Sequence, residues 1–139
     1  MEEEQTRGGK TLEDYLALPE GTPIEMIDGV FYDRTSSTSI HARISMKISQ
    51  AFENFITQNH GKCIPFVAPV DVQLDCDDKT MVVPDLFVVC DRNKRLYPWV
   101  VGAPDLIVEV NRGSFLREKG KEGIYLRRQG PSWYLGGKV

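Results

Sequence analysis

Two acidic residues stand where carboxylates are costly. Asp85 interrupts an apolar run between Met81-Val82-Val83-Pro84 and Leu86-Phe87-Val88-Val89, and Glu109 lies between Leu106-Ile107-Val108 and Val110. A carboxylate in a buried strand must be paired, because the cost of taking an isolated charge out of water exceeds what packing returns. Two such acids on neighbouring strands repel one another, and a divalent cation relieves that repulsion. Oxygen donors suit Mg²⁺ or Mn²⁺. The plain alternative is that each acid faces solvent at a strand end or pairs with a surface arginine.

Local signals define the elements that must position these acids. Thr11 and Asp14 have the spacing of a capping box, and Leu12, Tyr15 and Leu16 give the short helix that follows one apolar face. Ile24 to Tyr32 reads as a hairpin around Asp28-Gly29, a dipeptide that tolerates positive φ at both positions. Ile40, Ile44, Ile48, Ala51, Phe52, Phe55 and Ile56 recur at steps of three and four, which predicts a long helix over 39–59 closed by Asn59-His60-Gly61. Residues 70–74 alternate as a half-exposed strand, so Asp71 is expected on the surface. Residues 81–90 read as a buried strand with a break at Pro84-Asp85, and 105–110 as a second buried strand. A basic helix is expected over 114–129, weakened by Gly120 and Gly123, and a last short strand at Trp133-Tyr134-Leu135. The order α-ββ-α-β-β-β-α-β implies an α/β or α+β fold, a mixed β-sheet with helices packed on it.

The chain has 139 residues, 41% hydrophobic and 27% charged, the composition of a globular protein rather than a disordered one. Its length suits one domain, expected over 11–139 behind a loose tail at 1–10. No apolar run is long enough to span a bilayer, and the acidic start Met1-Glu2-Glu3-Glu4 lacks the form of a secretory signal, so a cytoplasmic protein with no membrane partner is expected. Cys63, Cys76 and Cys90 lack metal-like spacing and are expected as reduced thiols. Net charge is −3, unevenly spread. Residues 1–90 carry 7 Lys+Arg against 15 Asp+Glu, whereas residues 91–139 carry 10 against 5. The basic last third suits a phosphate backbone, or is simply a solvated helix face.

The ordered set of segments resembles the Uma-type endonucleases of the restriction-endonuclease-like, PD-(D/E)XK superfamily. Thr11-Leu12-Glu13-Asp14-Tyr15-Leu16-Ala17-Leu18-Pro19 is similar to that family's opening helix, and Ile24-Glu25-Met26-Ile27-Asp28-Gly29 to its hairpin. His41 sits where the family places a histidine at the start of the long helix. Val70-Asp71-Val72-Gln73-Leu74, Val83-Pro84-Asp85-Leu86-Phe87-Val88-Val89 and Gly102-Ala103-Pro104-Asp105-Leu106-Ile107-Val108-Glu109-Val110 continue the match, which runs from Thr11 to about Tyr134.

This resemblance implies a metal-dependent endonuclease that hydrolyses phosphodiester bonds in DNA. Asp85 and Glu109 would hold Mg²⁺ or Mn²⁺, near the carbonyl of Val110. Asn111 occupies the superfamily's lysine position. The Uma-type family takes its lysine from the next helix, four residues before a tyrosine, and Lys121 precedes Tyr125 by that interval. Glu25 resembles the family's additional acid, with a surface acid in a hairpin as the alternative, and His41 is expected to support the site rather than ligate. Arg112, Arg117, Lys119, Arg127 and Arg128 would contact the nucleic-acid backbone, which positions a substrate without reading its bases.

The family continues with further strands after the segment matching Trp133-Tyr134-Leu135, so the expected domain is C-terminally truncated or divergent. A second reading is therefore an inactive nucleic-acid-binding or protein-interaction module of the same fold, and a third an interaction protein with no nucleic-acid role. The apolar loop Tyr97-Pro98-Trp99-Val100-Val101 raises a homodimer, against the alternative that Trp99 folds back onto its own core.

Overall fold

The computed structural model describes residues 8–34, 38–74, 77–91, 93–111 and 133–138. The helix expected over 114–129 lies outside them, as do Arg112, Arg117, Lys119, Lys121, Arg127 and Arg128. The described elements are α1 (Leu12–Leu16), β1 (Ile24–Ile27), β2 (Val30–Asp33), α2 (Ser39–Gln58), β3 (Ile64–Val67), β4 (Val72–Gln73), β5 (Met81–Val82), β6 (Leu86–Val89), β7 (Val100–Val101), β8 (Leu106–Asn111) and β9 (Trp133–Lys138).

Local chemistry accounts for the first elements. At α1, Thr11 Oγ1 accepts the N–H of Asp14 while the Asp14 carboxylate accepts the N–H of Thr11, a reciprocal cap. Asp28 at φ 51° and Gly29 at φ 74° make the β1–β2 turn. Within the segment expected as a loose tail, Gly8 and Lys10 donate their N–H groups to the carbonyls of Asp28 and Gly29. The long helix starts on Thr38, whose hydroxyl accepts the N–H of His41. It ends where His60, rather than Gly61, takes the left-handed conformation at φ 52°.

The strands divide into two sheets rather than one. The first has the order β2-β1-β5-β4-β7 and the second β3-β6-β8-β9. Pairing is antiparallel except for β4–β7 and β8–β9. The break expected at Pro84-Asp85 is the point where the chain leaves β5 in one sheet and enters β6 in the other. Ile27, Val72 and Val82 of the first sheet pack with Phe87, Val89 and Ile107 of the second. On the second sheet's other side, Leu86, Val88 and Val108 meet Ile48 and Phe52 of α2. Strand β6 is therefore covered on both faces and buried along its length, which explains why it reads as a continuous apolar run instead of an alternating one.

Two side-chain expectations change. Cys63 and Cys90 are not reduced thiols but a disulfide, with Cα atoms 4.0 Å apart. The physical reason is register: one step beyond the pair Ile64–Val89, the β3–β6 ladder sets the two cysteines opposite each other. Asp71 is no simple surface acid, since its carboxylate accepts a 2.8 Å hydrogen bond from the Tyr15 hydroxyl. Trp99, by contrast, follows the alternative weighed from the sequence and folds back on its own chain. Its indole N–H donates to Gln73 Oε1 at 3.0 Å, and the Arg95 guanidinium lies 4.8 Å from the ring centre. Of that apolar loop, Tyr97 and Pro98 are exposed, whereas Trp99 is half-buried and Val100 buried.

Candidate active site

The switch from one sheet to the other places Asp85 at the entrance to β6, where it is 2% exposed. Its backbone carbonyl accepts the N–H of Ala68, and its Oδ2 accepts the N–H of Val110 at 2.8 Å. The same Oδ2 lies 3.2 Å from Nε2 of His41, a contact without the alignment of a hydrogen bond. His41 is itself 4% exposed and stands in the first turn of α2. One carboxylate oxygen thus joins the helix start, the β6 entrance and the β8 backbone.

Glu109 reaches the same region from β8. One step beyond the ladder pair Leu86–Val108, antiparallel register brings Asp85 level with Glu109. Opposed residues of an antiparallel pair share a face, their Cβ atoms about 4.5–5.5 Å apart in a regular ladder. Glu109 is half-buried overall, with its Oε1 inaccessible to solvent.

Glu25 enters from the other sheet. It is 2% exposed, which overturns the alternative of a surface acid, and its Oε2 accepts the Val83 N–H at 2.8 Å. It thereby satisfies a backbone donor that the ladder loses where the chain leaves β5. Val83 is two residues before Asp85, so Glu25 fixes the path into the acid's position.

A cleft of about 280 Å³ opens onto His41 and Asp85, bounded by α2 and the end of β3. A larger one of about 700 Å³ lies against Tyr15, Arg34 and Asp71. There burial, then the charge and hydrogen bond of Asp71, push the Tyr15 hydroxyl above its usual pKa, while Arg34 opposes the shift.

The structure therefore gathers Asp85 and His41, sets Glu109 level with Asp85, and places Glu25 beside the Pro84-Asp85 turn. Sequence reasoning passes over the Val110 N–H, since backbone donors carry no residue-type signal. It also passes over Ser45, buried one turn beyond His41; the spacing of four was the readable sign.

Residues 12–134 match the model of the Uma2 family, described as "Putative restriction endonuclease". A crystal structure described as "a putative nuclease belonging to DUF820" from Anabaena variabilis superposes with a TM-score of 0.67 at 18% identity, covering 93% of this chain and 73% of that one. At that identity the likeness speaks for the fold, the mixed α+β arrangement of sheets flanked by helices. No curated protein matches. The resemblance read from the ordered segments is borne out over nearly its whole stated span.

Proposed function

The chain belongs to the Uma2 family, and on that premise we propose that it is a divalent-cation-dependent endonuclease hydrolysing phosphodiester bonds in DNA. The observation that carries this reading is the buried Asp85, oriented by His41 and the Val110 N–H and level with Glu109.

The donor set fits the ion. Two carboxylates and the Val110 carbonyl are hard oxygen ligands, and Mg²⁺ commonly takes one or two protein carboxylates and completes its shell with water and phosphate. Among the described residues, no three His, Cys, Asp or Glu side chains gather as a metal cage. That arrangement suits an ion carried partly by substrate better than a structural metal. When bound, the cation lowers the pKa of water and offsets charge on the phosphoryl oxygens.

The protein's own residues set the geometry. The Val110 N–H fixes one oxygen of Asp85, and His41 crowds the same oxygen, so the carboxylate is oriented in advance. Glu25 holds the backbone leading into it. Lys121 is the proposed ammonium beside the attacking oxygen, where a fixed positive charge favours the transition state. Arg112, Arg117, Lys119, Arg127 and Arg128 are the proposed DNA-backbone contacts.

Supercoiled plasmid incubated with Mg²⁺ or Mn²⁺ tests the reading. Nicked and linear products are expected, chelation should abolish them, and Asp85→Asn should slow their formation by at least about 100-fold. Cleavage by Asp85→Asn at the parent rate, or none by the parent protein, overturns it.

A further inference from the structure

The two buried residues of α2 are both polar, His41 and Ser45, one turn apart. Ser49 follows one turn later. Ser45 is only 9% exposed, its Oγ is closed to solvent, and no hydrogen bond reaches that oxygen among the described residues. A serine in mid-helix commonly donates to the carbonyl four residues earlier, and this one does not. An unpaired buried hydroxyl is costly enough to need a reason.

Ser45 lines the 280 Å³ cleft that opens on Asp85. The surrounding chemistry decides what fits there. His41 is the one nitrogen base among the lining residues, and Asp85 stands at the inner end. Among the described residues, a phosphate placed in the cleft would meet a carboxylate and no lysine or arginine. A neutral ring meets better surroundings. Ala42 and Ala68 are small enough for a flat group to approach, while Met46 and Val67 offer apolar contact. The Ser45 and Ser49 hydroxyls can each donate or accept a hydrogen bond.

We propose that this cleft is a nucleoside subsite, taking the sugar and base next to the phosphodiester bond at Asp85, with Ser45 Oγ, turned into the cleft by a change of χ1 rotamer, as the hydrogen-bonding group. The inference rests on the endonuclease reading for its place in the reaction, but its test requires no cleavage. The full ¹⁵N-labelled chain, free of metal, is titrated with thymidine, with deoxyadenosine and with inorganic phosphate while amide resonances are followed.

Both nucleosides should move the amides of Ala42, Ser45, Ser49 and Ala68, and phosphate should leave them in place. Ser45→Ala should weaken nucleoside binding about five- to tenfold, the worth of one hydrogen bond. It should not lower stability, because the lost hydroxyl has no hydrogen-bond partner among the described residues. Ala42→Leu, which fills the cleft from an exposed helix position, should block binding while the rest of the spectrum stays folded.

Cleft amides that ignore both nucleosides overturn the proposal, as do shifts of equal size with phosphate alone or parent-like affinity in Ser45→Ala. Failure of the two readings is separable. Nucleoside binding by a protein inert on plasmid keeps the subsite and removes the nuclease, whereas plasmid cleavage with a silent cleft does the reverse.

Discussion

At the scale of single residues, Tyr15 gives the clearest dependence on pH. Its hydroxyl donates to Asp71, and burial together with that carboxylate raises its pKa. An unfolded tyrosine titrates near pH ~10. Because the folded value is higher, the stability Tyr15 contributes is fully present below about pH 10 and is lost as pH rises through the folded value. Tyr15→Phe should therefore cost about 1.5–3 kcal/mol in urea denaturation at pH 7, the worth of a hydrogen bond to a charged acceptor. The gap to the parent should narrow at pH 11; a constant gap would refute the assignment. Asp85 and Glu109 were legible as candidate site residues because an acid inside an apolar run is conspicuous. The Tyr15–Asp71 bond was not, since its partners are 56 positions apart and each is ordinary in its own segment. Ser45 was hidden for a related reason: a serine on a long helix looks solvent-facing until the helix is docked.

Among the elements, the β1–β2 hairpin shows how a local signal acquires a tertiary role. A Cβ on Gly29 would lie 2.2 Å from the Gly8 carbonyl oxygen and 2.8 Å from that of Lys10, on a backbone already at positive φ. Gly21 also has positive φ, but nothing lies within 4 Å of its Cβ position. Gly21→Ala should thus cost about 1 kcal/mol, the left-handed backbone strain alone. Gly29→Ala should cost visibly more in the same denaturation series, because the segment from Gly8 to Lys10 must move as well. Equal costs would show that the close approach is unimportant. The capping box, the hairpin, the long helix and the break before Asp85 could all be read in advance, since each is set within a few residues. Strands β3 and β7 could not. β3 contains Pro65, which argues against a strand, and it is tolerated because β3 lies at a sheet edge. β7 has two residues and forms only through its parallel pairing with β4.

For the whole molecule, the division into two sheets is what brings distant acids to one place, and it depends on long-range pairing that no local pattern encodes. Glu25 stands on β1 of one sheet and Asp85 at the entrance to β6 of the other, and Glu25 holds the Val83 N–H two residues before Asp85 because the chain crosses between the sheets at Pro84. The cross-strand disulfide belongs to the same scale. Closing a span of 27 residues, it should stabilise the fold by about 3–4 kcal/mol in the chain-entropy account. Thiol titration of the unfolded, unreduced protein should find one reactive cysteine, Cys76, rising to three after reduction, with a fall in denaturation midpoint. Three thiols before reduction would contradict the bond. Its mechanical consequence is separate from its thermodynamic one. Tension applied at the two ends of the chain passes through the sulfur–sulfur bond and bypasses residues 64–89, so strands β3 and β6 and Asp85 between them bear no load. Stretched as a single molecule, the oxidised protein should give a contour length about 90 Å shorter than the reduced one, the reach of the 27 residue-to-residue steps short-circuited by the bond.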